Sequence, residues 1–236
     1  MTELKEMTFL DHLEELRWRI VKALIALVIL TVISFNYSNE ILLFVIKPYH
    51  GKLIYTAPGG AFIIRIKLSM FAGLIFSSPV IFYQLWQFVA PGLFKNERKY
   101  FVLILFITTF CFLVGAVFAY RFVLPAMLDF FATYQTDQLQ AYVSVDEYFS
   151  LLINFVLAMG GVFELPVVSF FLAKLGILSP QFLKEKRRYA IVIIFIVAAV
   201  ITPSPDFISQ FMIAIPLLVL YEISVFVTKY AVRKTP

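Results

Sequence analysis

Four acidic side chains stand where a carboxylate could do more than keep a chain soluble. Glu164 lies in Gly160-Gly161-Val162-Phe163-Glu164-Leu165-Pro166, deep within an apolar run. A charge at the centre of a bilayer costs at least about 2.5–3.5 kcal/mol, so this carboxyl is protonated, paired or turned to water. Pro166 has no N–H to donate to the Val162 carbonyl, and the paired glycines loosen the same turn, so a kink is expected there. Two readings stay open: a neutral carboxyl hydrogen-bonded to the freed backbone, or a polar patch in a groove that admits a polar segment of a substrate or partner. Glu222, near the end of another apolar run, can simply reach the interface. Asp11, Glu15 and Arg19 recur four residues apart beside an apolar stripe of Phe9, Leu13, Leu16 and Ile20, which predicts an amphipathic helix. On charge pattern alone, Glu15 and Arg19 form a solvated pair contributing about 0.3–0.5 kcal/mol. Lys95-Asn96-Glu97-Arg98-Lys99 taken alone reads as a basic loop, with Glu97 its only acid.

Catalytic sets are missing from the sequence. His12 and His50 fall outside the apolar runs, and no HExxH, GxSxG, Walker loop or CxxC occurs. Cys111 stands alone in an apolar run and reads as packing. No protease pair is recognisable within the runs. The sequence points to a protein that is not an enzyme and needs no cofactor or metal.

The elements that position these acids must be membrane spans. Of 236 residues, 61% are hydrophobic and 15% charged, the mean hydropathy is +0.90, and 27 are Phe. A soluble domain carries about 25% charged residues, so this chain lacks the polar surface for one. A single Cys and 9 Gly exclude disulfide-rich and collagen-like classes. Six runs, 20–37, 68–89, 100–120, 148–172, 189–201 and 207–227, read as helices, because no ten-residue alternation of a transmembrane barrel is seen. The expected architecture is all-α, one six-helix domain over 1–236. The first run follows a flank with five acids and no small-residue cleavage site comes after it, so it is expected to stay as an anchor.

Fifteen of the 20 Lys and Arg fall on the side that holds both termini, which places the termini in the cytoplasm. Arg65 and Lys67, at the outer start of the second run, go against this bias. The fifth run has only 13 residues, or about 20 Å of helix, before Thr202-Pro203-Ser204-Pro205 ends it. Either Lys186–Arg188 snorkel and add a turn, or runs five and six form a short hairpin that thins the bilayer.

Several segments, in order along nearly the whole chain, resemble the TatC family, the polytopic receptor subunits of the twin-arginine protein translocase. They are His12-Leu13-Glu14-Glu15-Leu16-Arg17; Ser78-Pro79-Val80; Tyr83-Gln84-Leu85-Trp86-Gln87-Phe88-Val89-Ala90-Pro91-Gly92-Leu93 running into Lys95-Asn96-Glu97-Arg98; Phe163-Glu164-Leu165-Pro166; Gly176-Ile177-Leu178-Ser179-Pro180 with Lys186-Arg187-Arg188; and Thr202-Pro203-Ser204-Pro205-Asp206 with Ser209-Gln210. The 83–98 block is the most specific.

The resemblance implies a receptor and scaffold that binds twin-arginine signal peptides of folded cargo at its cytoplasmic face. Glu15, Glu97 and Phe88 match the family's signal-binding residues, and Arg17 a sensitive position beside them. Glu164 matches the embedded acid. Thr202, Asp206 and Gln210 match a polar cluster where small single-span subunits of the TatA and TatB type dock. The resemblance further implies a higher-order complex in the lipid bilayer, driven by the proton gradient, and no nucleic-acid partner. It implies a bacterial inner membrane, favoured over the thylakoid because no transit peptide is seen. The alternative reading of the residues is a proton-coupled transporter of a small solute with Glu164 as its proton site; few spans and no inverted repeat speak against it.

Overall fold

The computed structural model describes residues 9–89, 101–136, 142–202 and 206–233. Its elements are α1 (Phe9–Asn36), α2 (Ser38–Val45), α3 (Gly60–Val89), α4 (Phe101–Phe118), a π-helical turn (Ala119–Val123), α5 (Leu124–Ala132), α6 (Val145–Phe163), α7 (Leu165–Lys174), α8 (Pro180–Glu185), α9 (Arg187–Ile201) and α10 (Phe207–Arg233). Among the described residues the only β feature is an isolated parallel bridge between Ile54 and Ser144.

Among the described residues, five helical stretches are long and apolar enough to cross a membrane: His12–Asn36, Gly60–Phe88, Val102–Ala132, Val145–Lys174 and Phe207–Ala231, with mean hydropathies of 1.6 to 2.7. The run expected at 189–201 forms α9, whose 15 residues make about 22 Å of helix. It starts two residues before the run, at Arg187, and the chain leaves helical geometry at Lys186, between α8 and α9. The other helices outrun the apolar runs: α3 begins at Gly60 rather than 68, taking in Arg65 and Lys67, both exposed.

The chain divides into two units, Met1–Leu42 with Arg65–Thr109, and Leu43–Ile64 with Phe110–Pro236. In the first, α1 and α3 run antiparallel. Gly73 lets the backbones meet, since a Cβ there would lie 2.8 Å from both Cα and N of Thr31. Close approach at small residues is the usual basis of helix association in lipid. Pro79 leaves the Ile75 carbonyl without its helical donor, and the Ser78 hydroxyl donates to that oxygen at 2.8 Å. The Trp86 indole N–H donates to Thr108 Oγ1 at 2.9 Å, joining α3 to α4.

In the second unit α6 is the central helix. A capping box starts it, with Ser144 Oγ accepting from the Glu147 amide and the Glu147 carboxylate from the Ser144 amide. Its Phe149, Leu152, Phe155 and Met159 are buried. The Tyr148 hydroxyl donates to the Val45 carbonyl at 2.7 Å, an apolar helix closed by one satisfied polar tip. Gly115 of α4 and Gly160 of α6 form another close crossing: a Cβ on Gly115 would lie 2.6 Å from the Met159 carbonyl oxygen. Gly161, one residue on, faces open space. Gly115→Val is therefore expected to lower stability by about 1–3 kcal/mol, because backbone cannot yield as a side chain does. Gly161→Ala should be neutral or stabilising by up to about 1 kcal/mol. Thermal melting in detergent checks both.

Candidate functional site

The sequence-derived site residues fall into three places. The first is the projecting end of the first unit. With 28 and 30 residues, α1 and α3 are about 42 and 45 Å long, more than a hydrocarbon core of about 30 Å. At one end of this pair the N-terminal end of α1 meets the C-terminal end of α3. The His12 ring stacks on Phe88, with centroids 4.3 Å apart and planes 15° from parallel. One turn along α1, His12 Nδ1 is 3.8 Å from Glu15 Oε2. Arg19 binds the other oxygen: Nε donates to Oε1 at 3.0 Å and the NH2 group closes on the same atom. Glu15 Oε2 is buried and accepts no hydrogen bond among the described residues. Glu15 is thus a half-buried carboxylate that already holds one guanidinium and keeps one acceptor unused.

Arg17 is exposed, as are Leu13 and Ile20 of the expected apolar stripe, at 46% and 50%. Leu16 of the same stripe is half-buried. Glu97 lies outside the described residues.

The second place is the break between α6 and α7. α6 ends at Phe163 and α7 begins at Leu165, where Gly-Gly and Pro166 predict a kink: Glu164 is the joining turn, keeping helical dihedrals (φ −76°, ψ −16°) while its amide donates to the Gly161 carbonyl at 3.2 Å. Its side chain turns toward α4, close enough to the Cys111 thiol and Phe112 backbone to interact electrostatically. Oε1 is buried without a hydrogen-bond partner among the described residues.

The third is the α9–α10 connection. The hydroxyl of buried Thr202 donates back to the Ala198 carbonyl at 3.1 Å. Asp206 caps α10, its Oδ1 accepting from the Ser209 amide at 2.7 Å. Gln210 Nε2 donates to the Phe195 carbonyl at 2.8 Å, tying α10 to α9. Each of the three side chains is thus engaged in a local bond: Thr202 and Asp206 at helix ends, Gln210 between the two helices.

The expected Glu15–Arg19 pair is present, part-buried rather than solvated. The i,i+3 spacing already places His12 on the face of Glu15, but nothing in the sequence predicts its stack on Phe88.

A family profile described as TatC, Sec-independent protein translocase protein, matches residues 11–216. The Sec-independent protein translocase protein TatC of Carboxydothermus hydrogenoformans is 40% identical over 229 residues, covering 96% of this chain and 94% of that protein. The TatC of Aquifex aeolicus is 40% identical over 235 residues, 97% of each. This chain belongs to the TatC family. A crystal structure of the twin-arginine translocase receptor TatC superimposes with a TM-score of 0.82 at 40% identity, covering 93% of this chain and 99% of that one. The same receptor in DDM gives 0.81. The likeness extends over sequence and helix arrangement alike, so the TatC resemblance of the motifs holds for the chain as a whole.

Proposed function

We propose that this multi-pass membrane protein is the signal-receptor subunit of a Sec-independent, twin-arginine protein translocase, binding arginine pairs at the projecting ends of α1 and α3. The observation that carries the site is the Glu15 carboxylate, bound to Arg19 through one oxygen while the other, 3.8 Å from His12 Nδ1, accepts no hydrogen bond among the described residues. A guanidinium is always charged and presents a rigid fork of donors that matches a carboxylate. Glu15 shows this local chemistry on one guanidinium. A second acid, Glu97, would hold the neighbouring arginine of a pair. Lysine keeps the charge and loses the fork, which explains discrimination against Lys-Lys. Phe88, braced by His12, offers an aromatic face to an arginine plane or to the apolar residues of a signal.

The topology belongs to the same reading. Five long helices and the short α9 make six crossings of one domain, 1–236, with both termini in the cytoplasm of a bacterial inner membrane. This follows the excess of Lys and Arg and puts Glu15 on the side where cargo is made. The short α9, with Thr202, Asp206 and Gln210 at its far end, leaves an edge for single-span subunits of the TatA and TatB type. The test is photo-cross-linking of signal peptides to the isolated full chain. An Arg-Arg peptide is expected to label it at least about tenfold more strongly than its Lys-Lys variant, the loss of one charged bidentate contact. Equal labelling by the two overturns the reading.

A further inference from the structure

A groove of about 500 Å³ opens between α8, α9 and α10, in the second unit and apart from the sites above. Its walls are Phe182, Leu183, Tyr189, Ile193 and Tyr221, with Lys186 at the lip. Its size falls within the roughly 300–1,000 Å³ of pockets that hold small organic ligands. The polar groups of the walls are mostly satisfied internally. The Tyr221 hydroxyl donates to the Leu183 carbonyl, and Arg187 binds Glu222 at 2.6 Å. Lys186 differs: its ammonium lies over the Tyr189 ring, 5.4 Å from the centroid, and Arg188 lies 4.9 Å from the same ring. A ring face attracts a cation without neutralising it. The segment that carries Lys186 holds Lys184, Arg187 and Arg188 as well, against Glu185 and the Arg187 partner Glu222, so the polar edge of this apolar trough is net positive.

The short helix sets the depth of this rim. Arg187, at the start of α9, pairs with Glu222, 11 residues before the end of α10, or about 16 Å along that helix. Cations so placed stand where the bilayer has to thin to meet α9. We infer that the α8–α9–α10 groove is a binding site for an anionic phospholipid, its phosphate on Lys186 and Arg188 and an acyl chain along Phe182, Ile193 and Tyr221. Charge argues for this occupant: a basic lip beside hydrocarbon attracts acidic headgroups and repels a signal peptide that itself carries paired arginines. The inference needs only that the chain spans a membrane, and stands apart from the recognition reading.

Native mass spectrometry of the purified full chain, with phosphatidylglycerol or phosphatidylethanolamine added, tests it. Wild type is expected to retain phosphatidylglycerol in preference, and Lys186→Gln to retain about fivefold less at the same lipid concentration, the usual effect of one cation near a membrane surface. Lys186→Arg should restore retention, Ile193→Trp should lower it by filling the trough, and Lys52→Gln should behave as wild type. Equal retention of the two lipids, or no loss in Lys186→Gln, overturns the inference. So does displacement of the lipid by an Arg-Arg peptide, which would make the groove a signal site, or by millimolar inorganic phosphate, which would make it a plain anion site.

Discussion

Glu15→Lys is expected to abolish cross-linking of an Arg-Arg signal peptide to the purified protein, and Glu97→Lys to do the same. At Glu15 the loss has two parts. The acceptor for one guanidinium disappears, and a cation takes its place beside Arg19 and His12, where the incoming arginine must sit. Removing one partner of a hydrogen-bonded charge pair costs about 2–5 kcal/mol, or about 30- to several-thousand-fold in affinity, before the added repulsion. The fold is expected to survive, since Glu15 contributes only an i,i+4 pair to α1, about 0.3–0.5 kcal/mol. Unchanged cross-linking in both variants would refute the assignment.

Arg19 sharpens this test. Its guanidinium sits on Glu15 Oε1, so a signal arginine either shares the carboxylate through Oε2 or displaces it. Arg19→Ala frees the oxygen at the cost of one weak pair, and labelling should rise about twofold. If labelling instead falls as far as in Glu15→Lys, Arg19 is orienting the carboxylate rather than competing for it.

How much of this was legible in the residues depends on the range over which each feature is determined. The α6–α7 break follows from Gly160-Gly161 and Pro166, neighbours in sequence, and was expected where it is found. The brevity of α9 was likewise written in its 13 apolar residues and the prolines after them. Helix ends were read less well, because apolar run length ignores polar turns that continue a helix into the headgroup layer: α3 starts eight residues before its run. The π-helical turn at Ala119–Val123 had a local cue in Pro125, which cannot donate to the Arg121 carbonyl, but the way the backbone adjusts depends on packing. The stack of His12 on Phe88 joins residues 76 positions apart, and no periodicity reports such a pair. Motif resemblance alone assigns both neighbourhoods to one site, without the His12–Phe88 stack that joins them.

The second large effect concerns Glu164. Glu164→Ala is expected to insert, fold and melt within about 1–2 kcal/mol of wild type, yet to reduce export by about tenfold or more. The near-normal stability follows from the local structure: α6 and α7 already part at this residue ahead of Pro166, and Oε1 has no hydrogen-bond partner among the described residues. A buried polar atom without a partner instead weighs against the folded state, by about 1–3 kcal/mol. A carboxyl kept at that cost at a helix break within a span has its use in what it meets during the working cycle. A donor from a transported or docking segment, hydrogen-bonded to that oxygen, would account for the expected drop, since such bonds to a charged group contribute about 1.5–3 kcal/mol. Glu164→Gln separates the chemistries. A glutamine that restores export makes the group a hydrogen-bonding patch. A glutamine as poor as alanine makes its proton or charge essential. Export that is normal in the alanine variant returns Glu164 to a packing role, whereas solute uptake by liposomes containing this protein alone, lost in both variants, would favour a proton-coupled transporter over the receptor.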